Sequence, residues 1–211
     1  LEKASDSVRL LIADKKEHAD KLASSINDLN VRRREFDNKI TEEALAMIEQ
    51  NERLRNAKST VIFNENWHKG VIGIVASRLT DSYYRPTIVL TRSNNLITGS
   101  ARSIKNFDIY DAIDNCSDLL EHFGGHKYAA GLSLKPENLE EFSRRFEEYV
   151  ANNIDKEELI PELNVDLEID FSDITPKFVR VLKQFAPFGP GNMAPVFRSE
   201  ERRVGKECVS S

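Results

Sequence analysis

Sulfur is scarce in this 211-residue sequence, which has two cysteines and two methionines. Cys116 and Cys208 lie far apart and lack metal-ligand spacing. They suit a reducing, cytoplasmic compartment better than a disulfide framework. Long apolar stretches are missing too. Nothing approaches the roughly 18 residues that a bilayer-spanning helix needs, so no membrane partner is expected. Leu1-Glu2-Lys3-Ala4 has no signal-peptide character, and a first residue other than Met points to a segment of a longer protein. Glycine and proline are absent from about Asp14 to Asn51. With nothing to break it, that stretch predicts one helix of roughly 38 residues, about 57 Å long, with Leu22, Ile26, Leu29, Phe36, Ile40 and Met47 as its apolar positions.

What is present is 40% hydrophobic and 31% charged, enough for one or two globular domains. The net charge of −5 argues against indiscriminate nucleic-acid binding, but the acids are unevenly spread. Residues 66–131 hold seven basic and six acidic side chains with three histidines, whereas residues 132–173 hold four basic and thirteen acidic. The acidic surplus therefore lies outside the first stretch. Arg32-Arg33-Arg34 reads either as a solvated helix face or as a basic contact.

Ser59–Phe63, Pro86–Leu90 and Leu96–Ser100 read as strands, the last two joined by a turn at Ser93-Asn94-Asn95. Gly70 opens a mostly apolar helix to about Thr80. Helical spacing from Phe107 to Leu120 predicts a helix that stops at Gly124-Gly125, followed by a short strand at Leu132–Leu134. Pro136 to about Asn152 is amphipathic, with Leu139, Phe142, Phe146 and Val150 on one stripe. Alternating strands and helices make residues 59–153 an α/β domain. A polar linker at 153–163 precedes a half-exposed strand at 164–171. A helix at Thr175–Phe185 follows, with Thr175 as cap and Pro176 at its first position, then a rigid turn at Ala186–Asn192.

Two stretches carry chemistry. In Gly124-Gly125-His126-Lys127-Tyr128-Ala129-Ala130-Gly131, adjacent glycines permit a sharp turn whose amides can bind an anion, with His126 as a donor at its lip. Ala129, Ala130 and Gly131 leave room for close approach. In Gly99-Ser100-Ala101-Arg102-Ser103, the glycine lets a ligand approach and a strand-end arginine offers a planar fork for two phosphate oxygens, with two hydroxyl donors beside it. Each has a plainer reading, as a helix stop and as a surface ion pair. Trp67 is either core or a base-stacking ring, and Arg78 either a cleft residue or a buried ion pair.

Taken together, Gly124–Gly131, Trp67-His68-Lys69-Gly70-Val71-Ile72-Gly73-Ile74-Val75-Ala76-Ser77-Arg78, Gly99–Ser103 and Pro187-Phe188-Gly189-Pro190-Gly191-Asn192 resemble the DHHA1 domain of DHH phosphoesterases, and within them the RecJ-type exonucleases. The resemblance implies an α/β fold: a long connector helix, a DHHA1-type mixed α/β sheet domain and an incomplete OB-like β domain. It divides the chain into 1–58 (end of the DHH region and connector), 59–153 (DHHA1), 154–197 (start of the OB-like domain) and 198–211, a non-native tail. It implies the binding half of a bacterial, cytoplasmic, single-strand-specific 5′→3′ DNA exonuclease of repair and recombination. The partners implied are single-stranded DNA and a single-strand-binding protein or helicase, with a monomeric parent. Ser100, Arg102, Ser103, Gly124, Gly125 and His126 would then bind phosphates, with Trp67, His68 and Arg33 as further DNA contacts. Mn²⁺ or Mg²⁺ would be held by the Asp-His-His domain. This chain has no such triplet, and His18, His68, His122 and His126 form no metal constellation, so it is expected to bind without cleaving. The alternatives are a DHH phosphodiesterase for short oligonucleotides or cyclic dinucleotides, and a non-catalytic module like the tail of alanyl-tRNA synthetase.

Overall fold

A computed structural model describes residues 4–155 and 157–200, which fall into two compact units, residues up to 161 and residues from 162. The first unit begins with α1 (Ala4–Leu11), α2 (Lys16–Gln50) and α3 (Glu52–Asn56). It continues through β1 (Thr60–Phe63), α4 (Ile72–Tyr83), β2 (Thr87–Ser93), β3 (Leu96–Arg102) and α5 (Ile109–Asp114). The hairpin of β4 (Leu120–His126) and β5 (Ala129–Leu134) and then α6 (Leu139–Asn153) complete it.

The five strands form one sheet in the order β1-β2-β3-β5-β4, with β1 parallel to β2 and every other pair antiparallel. α4 is the crossover that lets β1 and β2 run parallel. β2 and β3 meet in a two-residue hairpin at Asn94-Asn95, where Asn94 takes φ 56°, a left-handed conformation that asparagine tolerates well. Strand side chains alternate between faces, so each face has its own core. On one side, Ile88, Leu90, Ile97, Ala101, Ala130, Leu132 and Leu134 pack on α5 and on Phe142, Phe146 and Val150 of α6. On the other, Ile62 and Val89 lie under α4, which in turn packs on Ile40, Ala44 and Ile48 of α2.

α2 spans 35 residues, about 52 Å, and buries no side chain before Asp37. Its inner half shows why it holds: Asp37, Ile40, Thr41, Ala44 and Ile48 recur at helical spacing along one stripe. Arg85 fixes the junction between α3 and the sheet. Its guanidinium is buried and donates to the carbonyls of Leu54, Arg55 and Ala57 and to the Thr60 hydroxyl, beneath the Tyr83 ring at 4.9 Å. The C-terminal end of α3 is thereby pinned to the start of β1.

One expectation fails here. Residues 120–126 are a strand, not the end of a helix, because a 3₁₀ turn at Ser117–Leu119 stops the helical path and β5 supplies a ladder for the extended chain. The spacing of Leu119, Leu120 and Phe123 imitates a helix. In the strand, Phe123 faces Leu132 instead, past an irregularity between Leu120 and His122.

In the second unit, β6 (Leu167–Glu168) pairs with β7 (Phe197–Arg198) in parallel, and α7 (Pro176–Lys183) lies between them in sequence. The Thr175 side chain caps α7 by accepting from the Phe178 amide, as its sequence predicts. The expected strand at 164–171 shrinks to two residues, since its only partner among the described residues is the equally short β7. Asn192 donates to the Phe185 and Pro187 carbonyls and so closes the proline-glycine turn. No described residue of this unit is buried. The expectation for the tail at 198–211 falls largely on residues outside the described set.

Candidate functional site

The pairing registers assemble the two predicted motifs into one surface. On β3, Ile97, Gly99 and Ala101 face the α5–α6 core, which turns Thr98, Ser100 and Arg102 to the α4 side. Ser100 pairs with Gly131, and Gly131 with Gly124; Arg102 pairs with Ala129, and Ala129 with His126; Thr98 pairs with Ser133, and Ser133 with His122. Three strands thus present a grid whose middle column is small: Ala129, Gly131 and Ser133. α4 covers β2 and β3 but leaves β5 and β4 open on this face, so Gly124, Gly131, His122 and His126 are exposed. A side chain added at Gly124 would meet nothing within 4 Å. The result is a shallow polar trough with α4 as its wall.

Arg102 stands where wall meets floor. Its Nε donates to the Ser77 hydroxyl at 3.2 Å, and its Nη1 to the Ser100 hydroxyl at 3.0 Å and the Ala101 carbonyl at 2.7 Å. Ser77 in turn donates to the Gly73 carbonyl, so the brace is anchored in α4. Gly73 belongs to the site by its lack of a side chain: a Cβ there would sit 3.0 Å from the Ser100 hydroxyl and 3.1 Å from Arg102 Nη2. Burial pulls the Arg102 guanidinium below the ordinary arginine range, yet arginine stays charged at any physiological pH. No acidic side chain among the described residues pairs with it. Nη2 and the Ser100 proton are left to donate, beside the electropositive N-terminal turn of α4. Arg102 is thus a half-buried cation whose braces are all neutral groups.

Other expectations fare differently. Gly99 does not open the site. It faces the core, where Leu90 and Leu132 occupy the space a side chain would need. The Ser103 hydroxyl is engaged by the Phe107 carbonyl at 2.9 Å and serves its own turn. Gly125 takes φ +153°, and a Cβ on it would run into the Ala129 carbonyl and Ala130, so it shapes the hairpin instead of forming an anion-binding helix end. In a strand the amides of consecutive residues point to opposite edges, so Gly124 and Gly125 do not aim theirs into one concavity. His126 Nδ1 accepts from the Tyr128 amide at 3.3 Å, which leaves Nε2 to face outward.

Trp67 cannot stack a base. It is 4% exposed in the α2–α4 core, and its indole N–H donates to Glu43 at 2.9 Å, because α2 packs directly over it. His68 is exposed and fixed by a 3.0 Å bond from the Gly70 amide to its Nδ1. Arg33 donates to Asn30 on its own helix and remains partly exposed. Arg78 combines both of its readings, being an exposed side chain bonded at 2.9 Å to the buried carboxylate of Asp37. Sequence reasoning quoted Gly73 and Ser77 within a motif without giving either a role, and it missed Asp37; all three show their part only through what packs against them. Among the described residues no group of three or more His, Cys, Asp or Glu is placed to hold a metal ion; the resemblance had assigned the divalent ions to the Asp-His-His domain and not to these residues.

Sheet order and crossover helix are those of a mixed α/β domain, and residues 56–152 match the DHHA1 domain family. Residues 165–209 match the RecJ OB domain. With these two domains in succession, the chain belongs to the RecJ family. It is 38% identical over 197 residues to the single-stranded-DNA-specific exonuclease RecJ of Bacillus subtilis, covering 92% of this chain and 25% of that protein. To the protein of the same name from Dickeya dadantii it is 33% identical, covering 99% of this chain and 38% of the relative. The crystal structure of Thermus thermophilus RecJ in complex with Mn²⁺ superposes with a TM-score of 0.82 at 29% identity, over 96% of this chain and 30% of that one. A further structure of that protein holds Mg²⁺. The chain thus spans between a quarter and two fifths of the relatives it matches.

Proposed function

We propose that this chain is the strand-gripping part of a single-strand-specific 5′→3′ DNA exonuclease of repair and recombination. In this reading Arg102 and Ser100 hold a phosphate of the substrate, the 5′-terminal one above all. Gly124, Gly131 and Ala129 let the backbone lie close, and His126 donates from the far edge. α2 is the connector to a metal-binding hydrolytic half that supplies Mn²⁺ or Mg²⁺ chemistry, and the chain by itself grips without cutting. One observation carries this: a half-buried arginine, braced by Ser77, Ser100 and the Ala101 carbonyl, has no carboxylate partner among the described residues and faces an open floor. The residue types suit a phosphodiester, since a guanidinium fork and a hydroxyl match its oxygens while glycines admit its sugar.

Fluorescence anisotropy tests the reading. A short labelled single strand with a 5′-phosphate should bind more tightly than its 5′-hydroxyl counterpart, and Arg102→Ala should abolish the difference. Equal binding of both ends by the unaltered chain would reduce the site to a groove for strand interiors. Hydrolysis by this chain with added Mn²⁺ would overturn the division of labour.

A further inference from the structure

We infer that Phe36 and His68 form a stacking platform for one base of the strand whose phosphate lies at Arg102, an inference that rests on the phosphate-binding reading above. Phe36 departs from the pattern of its helix. The buried stripe of α2 begins at Asp37, and Phe36 itself is 49% exposed, although its ring is one of the most apolar groups on α2. Its partner is not the core but the His68 ring, with centroids 6.0 Å apart and planes inclined by 29°. His68 is exposed as well, and the bond from the Gly70 amide to its Nδ1 fixes the ring. Two rings, parallel to within a third of a right angle and both open to solvent, make a flat apolar surface that water covers poorly.

Basic side chains stand near this pair, while the neighbouring acids Asp37 and Glu65 are paired with Arg78 and Arg92. Arg32 and Arg33 precede Phe36 by four and three residues and so share its side of the helix. Lys69 adjoins His68 and is exposed. Arg32 and Lys69 form no ion pair among the described residues. Aromatic rings set among cations are what a single nucleic-acid strand meets in sequence-tolerant binding, because every base has a π-face and every linkage a charge. Position agrees with this. The turn at His68 leads into α4, whose Gly73 lies against Ser100 and Arg102, and five residues of chain reach at most about 18 Å. A strand fixed by a phosphate at Arg102 therefore passes the platform within its first nucleotides.

The test uses a 5′-phosphorylated ten-nucleotide oligothymidylate and a ladder of abasic sugar-phosphate of equal charge. Phe36→Ala should weaken oligothymidylate binding about tenfold and leave abasic binding unchanged. Phe36→Leu should lose as much as the alanine variant, because it keeps apolar bulk without a ring. Phe36→Trp should bind like the unaltered chain, and its emission should be quenched by oligothymidylate and not by the abasic ladder. The buried Trp67 gives a constant background. Wild-type affinity in Phe36→Ala, with binding lost in Arg102→Ala, would overturn the platform and leave the phosphate site standing. Wild-type affinity in Arg102→Ala would overturn both. Unchanged melting temperatures show that the variants fold, as a half-exposed position permits.

Discussion

The two faces of the sheet are built by the same strands and have opposite characters. β3 and β5 send Ile97, Ala101, Ala130, Leu132 and Leu134 into a core closed by α5 and α6. Between these residues they send Ser100, Arg102, Ala129, Gly131 and Ser133 to the side where α4 stops short. A period of two separates stability from binding within one segment, so a residue and its neighbour answer to different demands. Two arginines show the same division. Arg85 spends its donors on three carbonyls and a hydroxyl and belongs to the architecture. Arg102 is braced on one side only and keeps donors in hand.

Substitutions can break this comparison in order of expected effect. Phe146→Ala removes a fully buried ring that stacks on Phe142 at 6.0 Å, and should cost about 3–5 kcal/mol in urea unfolding. The fraction that stays folded should keep its DNA affinity. Gly125→Val puts a branched side chain at φ +153° against the Ala129 carbonyl and should cost about 2–3 kcal/mol by the same measurement. Gly73→Ala divides the faces most sharply. It raises helix propensity by up to about 1 kcal/mol, yet its methyl crowds Ser100 and Arg102, so thermal stability should hold or rise while anisotropy shows several-fold weaker binding of 5′-phosphorylated strands. Equal losses of stability and binding would show that wall and floor are one structural unit. Gly124→Leu, placed in open space, should leave stability within about 1 kcal/mol and weaken binding by occupying the trough. Smallest of all, Cys116 should resist iodoacetamide at pH 9 in the native state, because burial pushes its thiol up to about 11. Peptide mass mapping reads this, and rapid labelling would mean that the α5–α6 face opens readily.

Much of this was legible in the sequence, for reasons that the structure makes plain. β-branched runs became β1 and β2 because both are buried, and the uninterrupted stretch before Asn51 became α2 because nothing in it opposes a helix. That Arg102 and Ser100 meet was legible because residues two apart share one face of a strand. What stayed hidden depends on partners distant in sequence. β4 is a strand only because β5 returns beside it, and Leu119, Leu120 and Phe123 fit a helix equally well until that happens. Trp67 went inside because Glu43, 24 residues earlier, meets its N–H. Gly99 and Gly73 look alike in sequence, but one is closed by leucines and the other shapes a binding wall.

The Arg85 clamp has a mechanical consequence. By holding the end of α3 to β1 it makes the junction after Asn51 stiff, while α4 grips α2 only from Asp37 onward. Residues 16–36 then form a cantilever about 31 Å long, rooted next to the trough. A tilt of about 10° at the root moves the free end by about 5 Å, and the first side chains to feel that tilt are Asp37 and Phe36, beside Arg78 and His68. A displacement applied far out on α2 is thus geared down to a small movement at the rim of the trough.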